Sequence, residues 1–554
     1  MFSEDRFVGV VHAVDGPSVS VTLPMAAAGS SNLHGRRLRR GEVGQFLLIQ
    51  VGPEAVLGRL ISIAVLAADL RKLGDPQAEP MAQGRVQLLG TLNRNGASDR
   101  GIGRYPTVGD RVFDASEDAI KKAIAVQGVK NTAHLGKLSV GEIDTRVNVD
   151  DLFGRHLAVV GATGSGKSWT VAHLAETTVS LGGKMIVLDP TGEFRSLGEG
   201  VTHLSVGTGK VDQDVLQVGV PHHLMRETDR IALFLPSSGT QLPKMHAAVR
   251  SLRLAHHAEV HSPELDCLED GAIVKPPGGS SAEFDAAFTL HSEAVEDPYG
   301  PFDLTRLSVQ IRHECVKPGT GSRFGPVDTS AVGNVGSLIT RIDDVLQSTE
   351  VMNVIGSTIQ EDVLSELEKW FADASSNVLC ISLKYVPASH NLREIVVNIL
   401  GHHLLRRARE GLFAGIPLVV SIDEAHQFLG RTIGDDSTSS RLDAFELIAK
   451  EGRKYGLTLC IATQRPSDLP AGMLSQVGMM IIHRIADGQD RQMVAAAAAE
   501  MDMSSLQLLP GLRQGEAVVI GVDLPVPVAV RMQRPDCPPR SDGPNYSSGW
   551  GIGR

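Results

Sequence analysis

The 554-residue chain is poor in the features that staple or anchor a protein. Its five cysteines, Cys267, Cys315, Cys380, Cys460 and Cys537, are odd in number and have no paired spacing. That pattern fits neither a disulfide framework nor a cysteine-based zinc site, and it points to a reducing compartment. Aromatic residues make up only 4%, which argues against a carbohydrate cleft or a stacking-rich binder of single strands. Long apolar runs are missing too. The longest, near Ala55–Leu70, is broken by Arg59 and Asp69 and cannot span a bilayer. Met1-Phe-Ser-Glu-Asp-Arg6 has no basic-then-apolar leader, so a cytoplasmic protein without a membrane partner is expected. Positive charge is in deficit: the net charge is −11, and any contact with DNA requires a local basic strip. What is present is core material. With 42% hydrophobic and 21% charged residues the chain is not disordered, and its length suggests two to four domains.

Residues 7–70 read as short strands. Phe7–Val14 runs into the turn pair Asp15-Gly16, Ser18–Leu23 alternates with period two, and Gln45–Val51 is a further apolar run. This texture predicts a small β-barrel over residues 1–135. From Leu157 it changes to continuous apolar runs: Leu157–Val160, Lys184–Leu188, Val378–Leu383, Leu418–Ile422 and Leu457–Ala462. Strands buried on both faces of a parallel α/β sheet look like this, and they define a core over 136–205 and 350–534. The block between, 206–349, is expected to be a mainly helical insertion, with helical patterns over Asp212–Ala258 and turn-rich connectors at Pro276 and Lys317. Residues 535–554 read as a C-terminal arm or tail. The basic run Arg36–Arg40 is read as a solvated loop, and the paired histidines lack ligand spacing, so no metal beyond Mg²⁺ is assigned.

The chemistry concentrates in two places. Gly161-Ala162-Thr163-Gly164-Ser165-Gly166-Lys167-Ser168 is a complete phosphate-loop pattern, set between a buried strand and the helical segment that opens at Trp169. Glycines there let backbone amides turn onto phosphates, Lys167 neutralises the β- and γ-phosphates, and Ser168 offers its hydroxyl to Mg²⁺, so ATP and Mg²⁺ are the expected cofactors. Downstream, Leu418-Val-Val-Ser-Ile-Asp423-Glu424 ends an apolar run in two acids. Asp423 is assigned to the metal's water shell, and Glu424 to orienting the attacking water. Strand alternation is expected to turn the two side chains apart. Asp423-Glu-Ala-His426 also spells the box of a large two-motor helicase class, but too little chain follows it for a second motor. One motor per chain implies a ring. Asp189-Pro-Thr-Gly-Glu193-Phe and Thr463-Gln464-Arg465 fall at strand ends, with Gln464 a candidate γ-phosphate sensor. Arg453, in Glu-Gly-Arg-Lys-Tyr-Gly, and Arg484, in His-Arg-Ile-Ala-Asp, are candidates to reach a neighbour's nucleotide.

Taken in order, these motifs resemble the HerA branch of the HerA/FtsK translocases, and the barrel resembles that branch's N-terminal domain, itself similar to one in rotary ATP synthases. The resemblance spans nearly the whole chain. It implies an α/β RecA-like P-loop motor domain with an N-terminal small β-barrel and a mainly helical insertion. It further implies a homohexamer that hydrolyses ATP and threads double-stranded DNA. By motif, Gly161 through Trp169 and Glu193 bind nucleotide, Ser168 and Asp423 serve the metal, and Lys167, Glu424, Gln464, Arg453 and Arg484 serve catalysis, one arginine in trans. Thr191 departs from the histidine common in the Asp-Pro-x-Gly-Glu motif. Relatives of this kind work with a partner, the NurA nuclease in archaeal end resection, or a sirtuin-like or nuclease effector in bacterial anti-phage defence. A nucleotide-gated ring scaffold that activates an effector without translocating is the alternative.

Overall fold

The computed structural model describes residues 2–23, 32–33, 36–37, 41–65, 81–93, 98–124, 131–139, 142–207, 215–261, 265–356, 361–430, 432–434, 440–470, 472–498, 509–521 and 527–540. Within the basic run only Arg36 and Arg37 are described, as backbone, and the tail beyond Arg540 lies outside the described residues. No described helix is long and apolar enough to cross a membrane.

The chain opens with strands β1 (Phe7–Asp15), β2 (Ser18–Leu23), β3 (Phe46–Val51), β4 (Glu54–Val65), β5 (Ala82–Leu92), β6 (Ser98–Arg100) and β7 (Arg111–Asp114), then helix α1 (Glu117–Ile124). Next come β8 (Thr132–Leu138), β9 (Asp144–Asn148), β10 (His156–Val160), α2 (Lys167–Ser180), β11 (Lys184–Asp189), β12 (Val201–Val206) and β13 (Leu216–Val218). Helices α3 (Glu227–Phe234), α4 (Gln241–His261), α5 (Leu307–His313), α6 (Thr329–Gln347) and α7 (Val363–Ala372) lead to β14 (Val378–Ser382). The remainder is α8 (Leu392–Arg409), β15 (Leu418–Ile422), α9 (Ala444–Glu451), β16 (Leu457–Thr463), β17 (Val477–Ile482), α10 (Gly488–Ala497), β18 (Glu516–Gly521) and β19 (Val528–Met532). Two compact units divide the chain: 1–177 with 458–538, and 178–457 with 539–554.

In the first unit, six antiparallel strands close into a barrel in the order β2-β1-β7-β3-β4-β5, with β5 pairing back onto β2 and β6 added at the side of β5. Alternation decides its filling. Val19, Val21 and Leu23 of β2 and Leu47, Ile49 and Val51 of β3 point inward, where they meet Val8, Val56, Leu60 and Val86. Closure leaves no long unpaired edge. The barrel's last strand ends at Asp114, and β8 from Thr132 pairs instead with β9 and β19. The sequence-based boundary at 135 therefore falls inside β8, because alternation marks a strand without naming its partner.

The same unit holds a mixed sheet in which β10 lies parallel between β17 and β16, with Leu157 beside Met479 and Cys460. Antiparallel β18, β19, β8 and β9 extend it beyond β17. Between Pro535 and Pro538 the chain stays on this unit. The amides of Asp536 and Cys537 donate to the Glu176 carboxylate of α2 at 3.0 and 2.7 Å.

The second unit carries five parallel strands in the order β15-β11-β14-β12-β13. Residues 216–218, expected within a helical stretch, form the edge strand β13, since three residues are too few to show a period. After it the chain becomes mainly helical. Leu254, Ala255 and Ala258 of α4 pack with Ile273, Ala287 and Val295 in a separate apolar cluster.

A buried ion pair crosses this helical region. Lys275 Nζ lies 2.6 Å from Glu314 Oε2, with the two side chains 9% and 6% exposed. Ser251 and Gln310 donate to the other carboxylate oxygen at 2.7 and 2.9 Å. Removing the cation alone strands a satisfied carboxylate in the interior, which costs about 3–5 kcal/mol. Lys275→Met is accordingly expected to lower the unfolding temperature measured by calorimetry. The Lys275→Met/Glu314→Gln pair is expected to recover most of the loss.

Candidate functional site

The phosphate loop is fixed from below by two neighbouring strands. Gly161 N–H donates to Thr463 O at the end of β16 (3.3 Å), and Ala162 N–H to Arg484 O just beyond β17 (2.8 Å). The loop then closes on itself, Ser165 N–H donating to Ala162 O (3.2 Å) and Gly515 N–H to Ser165 O (2.9 Å). Side chains are excluded at two positions. A Cβ on Gly161 would lie 2.6 Å from His483 Cβ and 2.7 Å from Ser165 Oγ. Gly166, at φ +120°, packs against Gly515 and His483.

The geometry suits a phosphate chain. The amides of Thr163, Gly164 and Gly166 make no hydrogen bond within the described residues, and the buried Ser165 hydroxyl has no partner. Unsatisfied donors at a helix start are the recognition groups for an anion. Lys167, the first residue of α2, is 6% exposed and lays its ammonium 3.3 Å from Ala162 O. Ser168 and Trp169 are half-buried on the same turn, and the Arg534 guanidinium carbon stands 5.8 Å from the Trp169 ring centroid. These residues fit a nucleoside triphosphate with Mg²⁺, which would supply the phosphoryl group and the charge that stabilises its transfer.

Gln464 reaches the loop directly: Thr163 Oγ1 donates to Gln464 Oε1 at 2.5 Å. Arg484 contributes its carbonyl to the loop while its side chain is exposed. Its neighbour His483 was passed over in the sequence, where a lone histidine at a strand end carries no pattern. In the structure it is fully buried, and its ring stands against Gly161 and Gly166. Its Nδ1–H donates to Glu516 O (3.0 Å), so Nε2 accepts from the Thr170 hydroxyl of α2 (2.9 Å). Burial holds the ring neutral, pushing its pKa down to about 4, with the Lys167 charge acting in the same direction.

The carboxylates belong to the second unit. β15 ends at Ile422, and the two acids are the first two residues beyond it. Asp423 is 3% exposed, and its amide donates to Leu188 O of β11 (3.2 Å). Glu424 adopts φ 47°, ψ 44°, so a left-handed kink, rather than strand alternation, separates the two side chains. Strain of this kind in a non-glycine residue marks functional turns. Glu424 Oε2 is buried without a hydrogen bond, 3.4 Å from His426 Nδ1.

Asp189, at the end of β11, shapes the Asp-Pro-Thr-Gly-Glu turn. Its Oδ1 accepts from the amides of Thr191, Gly192 and Glu193 (3.2, 2.8 and 3.2 Å), and Oδ2 from Phe194 N–H (2.9 Å). Burial raises its pKa, and these amides oppose the shift. Glu193 is half-buried, and its carbonyl accepts from Arg540 N–H (2.8 Å). Arg453 is exposed on the short turn that closes α9.

The buried His483 gives stability a pH dependence. The folded ring binds its proton near pH 4 and the unfolded ring near 6.5, so between those values the unfolded chain holds more protons. Its contribution, up to about 3 kcal/mol, is complete above pH 6.5 and lost as pH falls toward 4. His402, depressed to about 4 by burial, adds in the same direction. In urea unfolding between pH 7.5 and 4.5, His483→Gln is expected to remove about one proton from the wild-type slope.

The family model for the central domain of helicase HerA matches residues 133–266, a span containing the phosphate loop and the Asp189 turn. The DNA double-strand break repair helicase HerA of Pyrococcus furiosus is 25% identical over 84% of this chain and 80% of its own length. The protein of the same name from Sulfolobus acidocaldarius is 24% identical over 80% of this chain and 77% of its own. Among solved structures, the bacterial conjugative coupling protein TrwB aligns at TM-score 0.44 and 16% identity, covering 77% of this chain and 93% of its own. With a complete phosphate loop inside the matched domain and relatives aligned over most of its length, this chain is a P-loop ATPase whose sequence is similar to that of the HerA helicases.

Proposed function

We propose that the chain is an ATP-driven motor that assembles into a homohexameric ring and moves double-stranded DNA. It works beside a separate nuclease or sirtuin-like effector, in DNA end processing or anti-phage defence. The observation that carries the reading is the phosphate loop, already folded, with three amides and a buried hydroxyl left without partners. The double-strand break repair helicases it resembles support DNA as the track. In this reading Lys167 neutralises the phosphates, Ser168 offers its hydroxyl to Mg²⁺, and Asp423 supports the metal's water shell. Glu424 orients the attacking water, Gln464 senses the γ-phosphate through Thr163, and Glu193 and Trp169 border the nucleotide. Arg453 or Arg484 acts on the nucleotide of the next subunit. A net charge of −11 favours a narrow basic track over a broad DNA-binding face.

Steady-state ATPase assays with and without duplex DNA test the proposal. Duplex is expected to stimulate turnover, with binding that weakens steeply as salt rises. Lys167→Ala is expected to lose turnover, and Glu424→Gln to keep ATP binding while hydrolysis falls by about 10²-fold or more. An ATPase indifferent to duplex, without salt-sensitive binding, would instead indicate the ring scaffold.

Subunit mixing addresses the arginines. Arg453→Ala and Lys167→Ala proteins, each inactive alone, are expected to regain part of the turnover when mixed, because some interfaces then pair an intact loop with an intact arginine. An arginine acting across an interface is worth about 10³–10⁵ in rate. Failure to recover at every ratio would shift the assignment to Arg484.

A further inference from the structure

Three parallel strands of the second unit place polar residues side by side at their C-terminal ends. Asp189 of β11 pairs in register with Ser382 of β14, which pairs with Ser205 of β12. Ligands of parallel sheets bind at this end. A cavity of about 360 Å³ opens there, with Arg195, Lys384 and Arg540 around it. Its size matches a small-molecule site.

Two exposed cations, Lys384 and Arg540, line the cavity beside Arg195, and the one acid that lines it is already saturated: Asp189 accepts four backbone amides and the Thr191 hydroxyl. His203 adds no charge, since burial lowers its pKa and its Nε2–H donates to Leu197 O at 2.8 Å. Two hydroxyls remain to donate. Ser205, 2% exposed, has a buried Oγ without a partner, and Ser382 Oγ serves only as acceptor for Lys384 N–H at 3.4 Å. Guanidinium and ammonium groups converging with hydroxyl donors match the tetrahedral, doubly charged oxygens of a phosphate better than a planar, singly charged carboxylate.

We propose that this cavity, bounded by Arg195, Ser205, Ser382, Lys384 and Arg540, binds the phosphate group of a small ligand at a site distinct from the phosphate loop. Orthophosphate and a sugar phosphate present the same chemistry. The site makes no use of Lys167, so it stands apart from the motor reading and can fail or hold without it.

The test uses full-length Lys167→Ala protein, titrated by calorimetry with inorganic phosphate and separately with ribose 5-phosphate, at ionic strength fixed with chloride. One phosphate per subunit is expected. Lys384→Gln/Arg540→Gln in that background is expected to weaken binding at least about tenfold, by removing two charge-assisted contacts. Both side chains are exposed, and the Arg540 amide bond to Glu193 O is kept, so unfolding without phosphate should be unchanged. Ser205→Ala, which removes only the buried hydroxyl, is expected to weaken binding several-fold. Tighter binding of ribose 5-phosphate would support a phosphate monoester as the ligand, and equal or weaker binding would support orthophosphate. Absence of phosphate binding, or affinity indifferent to the double substitution, would overturn the proposal.

Discussion

The phosphate loop holds its shape because β10 is gripped on both sides. Hydrogen bonds from Gly161 to Thr463 and from Ala162 to Arg484 fasten the loop's first two residues to the ends of the flanking parallel strands. His483 then fills the space that side chains at Gly161 and Gly166 would need. A chain bent in this way leaves the amides of Thr163, Gly164 and Gly166 unpaired among the described residues, so those donors are left for a ligand. Recognition and strain have one cause here: the backbone is committed to an anion before the anion arrives.

Several buried charged groups elsewhere follow the opposite rule and are satisfied within the protein. Asp189 is saturated by the turn it organises. Lys275 and Glu314 are closed by Ser251 and Gln310. Lys184 gives its ammonium to the carbonyls of Trp370, Asp373 and Ser376. Among the buried polar atoms without a hydrogen bond, the hydroxyls of Ser165 and Ser205 and one oxygen of Glu424 lie at the loop, the cavity and the carboxylate turn, where a ligand can supply the partner.

Much of the fold was legible because both sheets obey local rules. Continuous apolar runs became β10, β11, β14, β15 and β16, and alternation in residues 7–51 became the barrel. What escaped was non-local or short. β18 and β19 are ordinary apolar stretches whose antiparallel return onto β17 no periodicity encodes. Of the site, the phosphate-loop residues and the two acids were visible as motifs, since their chemistry requires fixed spacing. His483 was not, because its role arises from standing beside Gly161 and Gly166, far away in sequence.

By itself, the amino-acid order determined that a glycine-rich turn follows a buried strand, that two acids close another, and that a barrel precedes both. These depend on neighbours a few residues apart, where sterics and alternation act directly. Tertiary structure alone decided which strands flank the loop, that Glu424 turns by a left-handed kink, and that Asp189, Ser382 and Ser205 share one row. Those outcomes follow from strand register and burial, which join residues hundreds of positions apart and leave no trace in local composition.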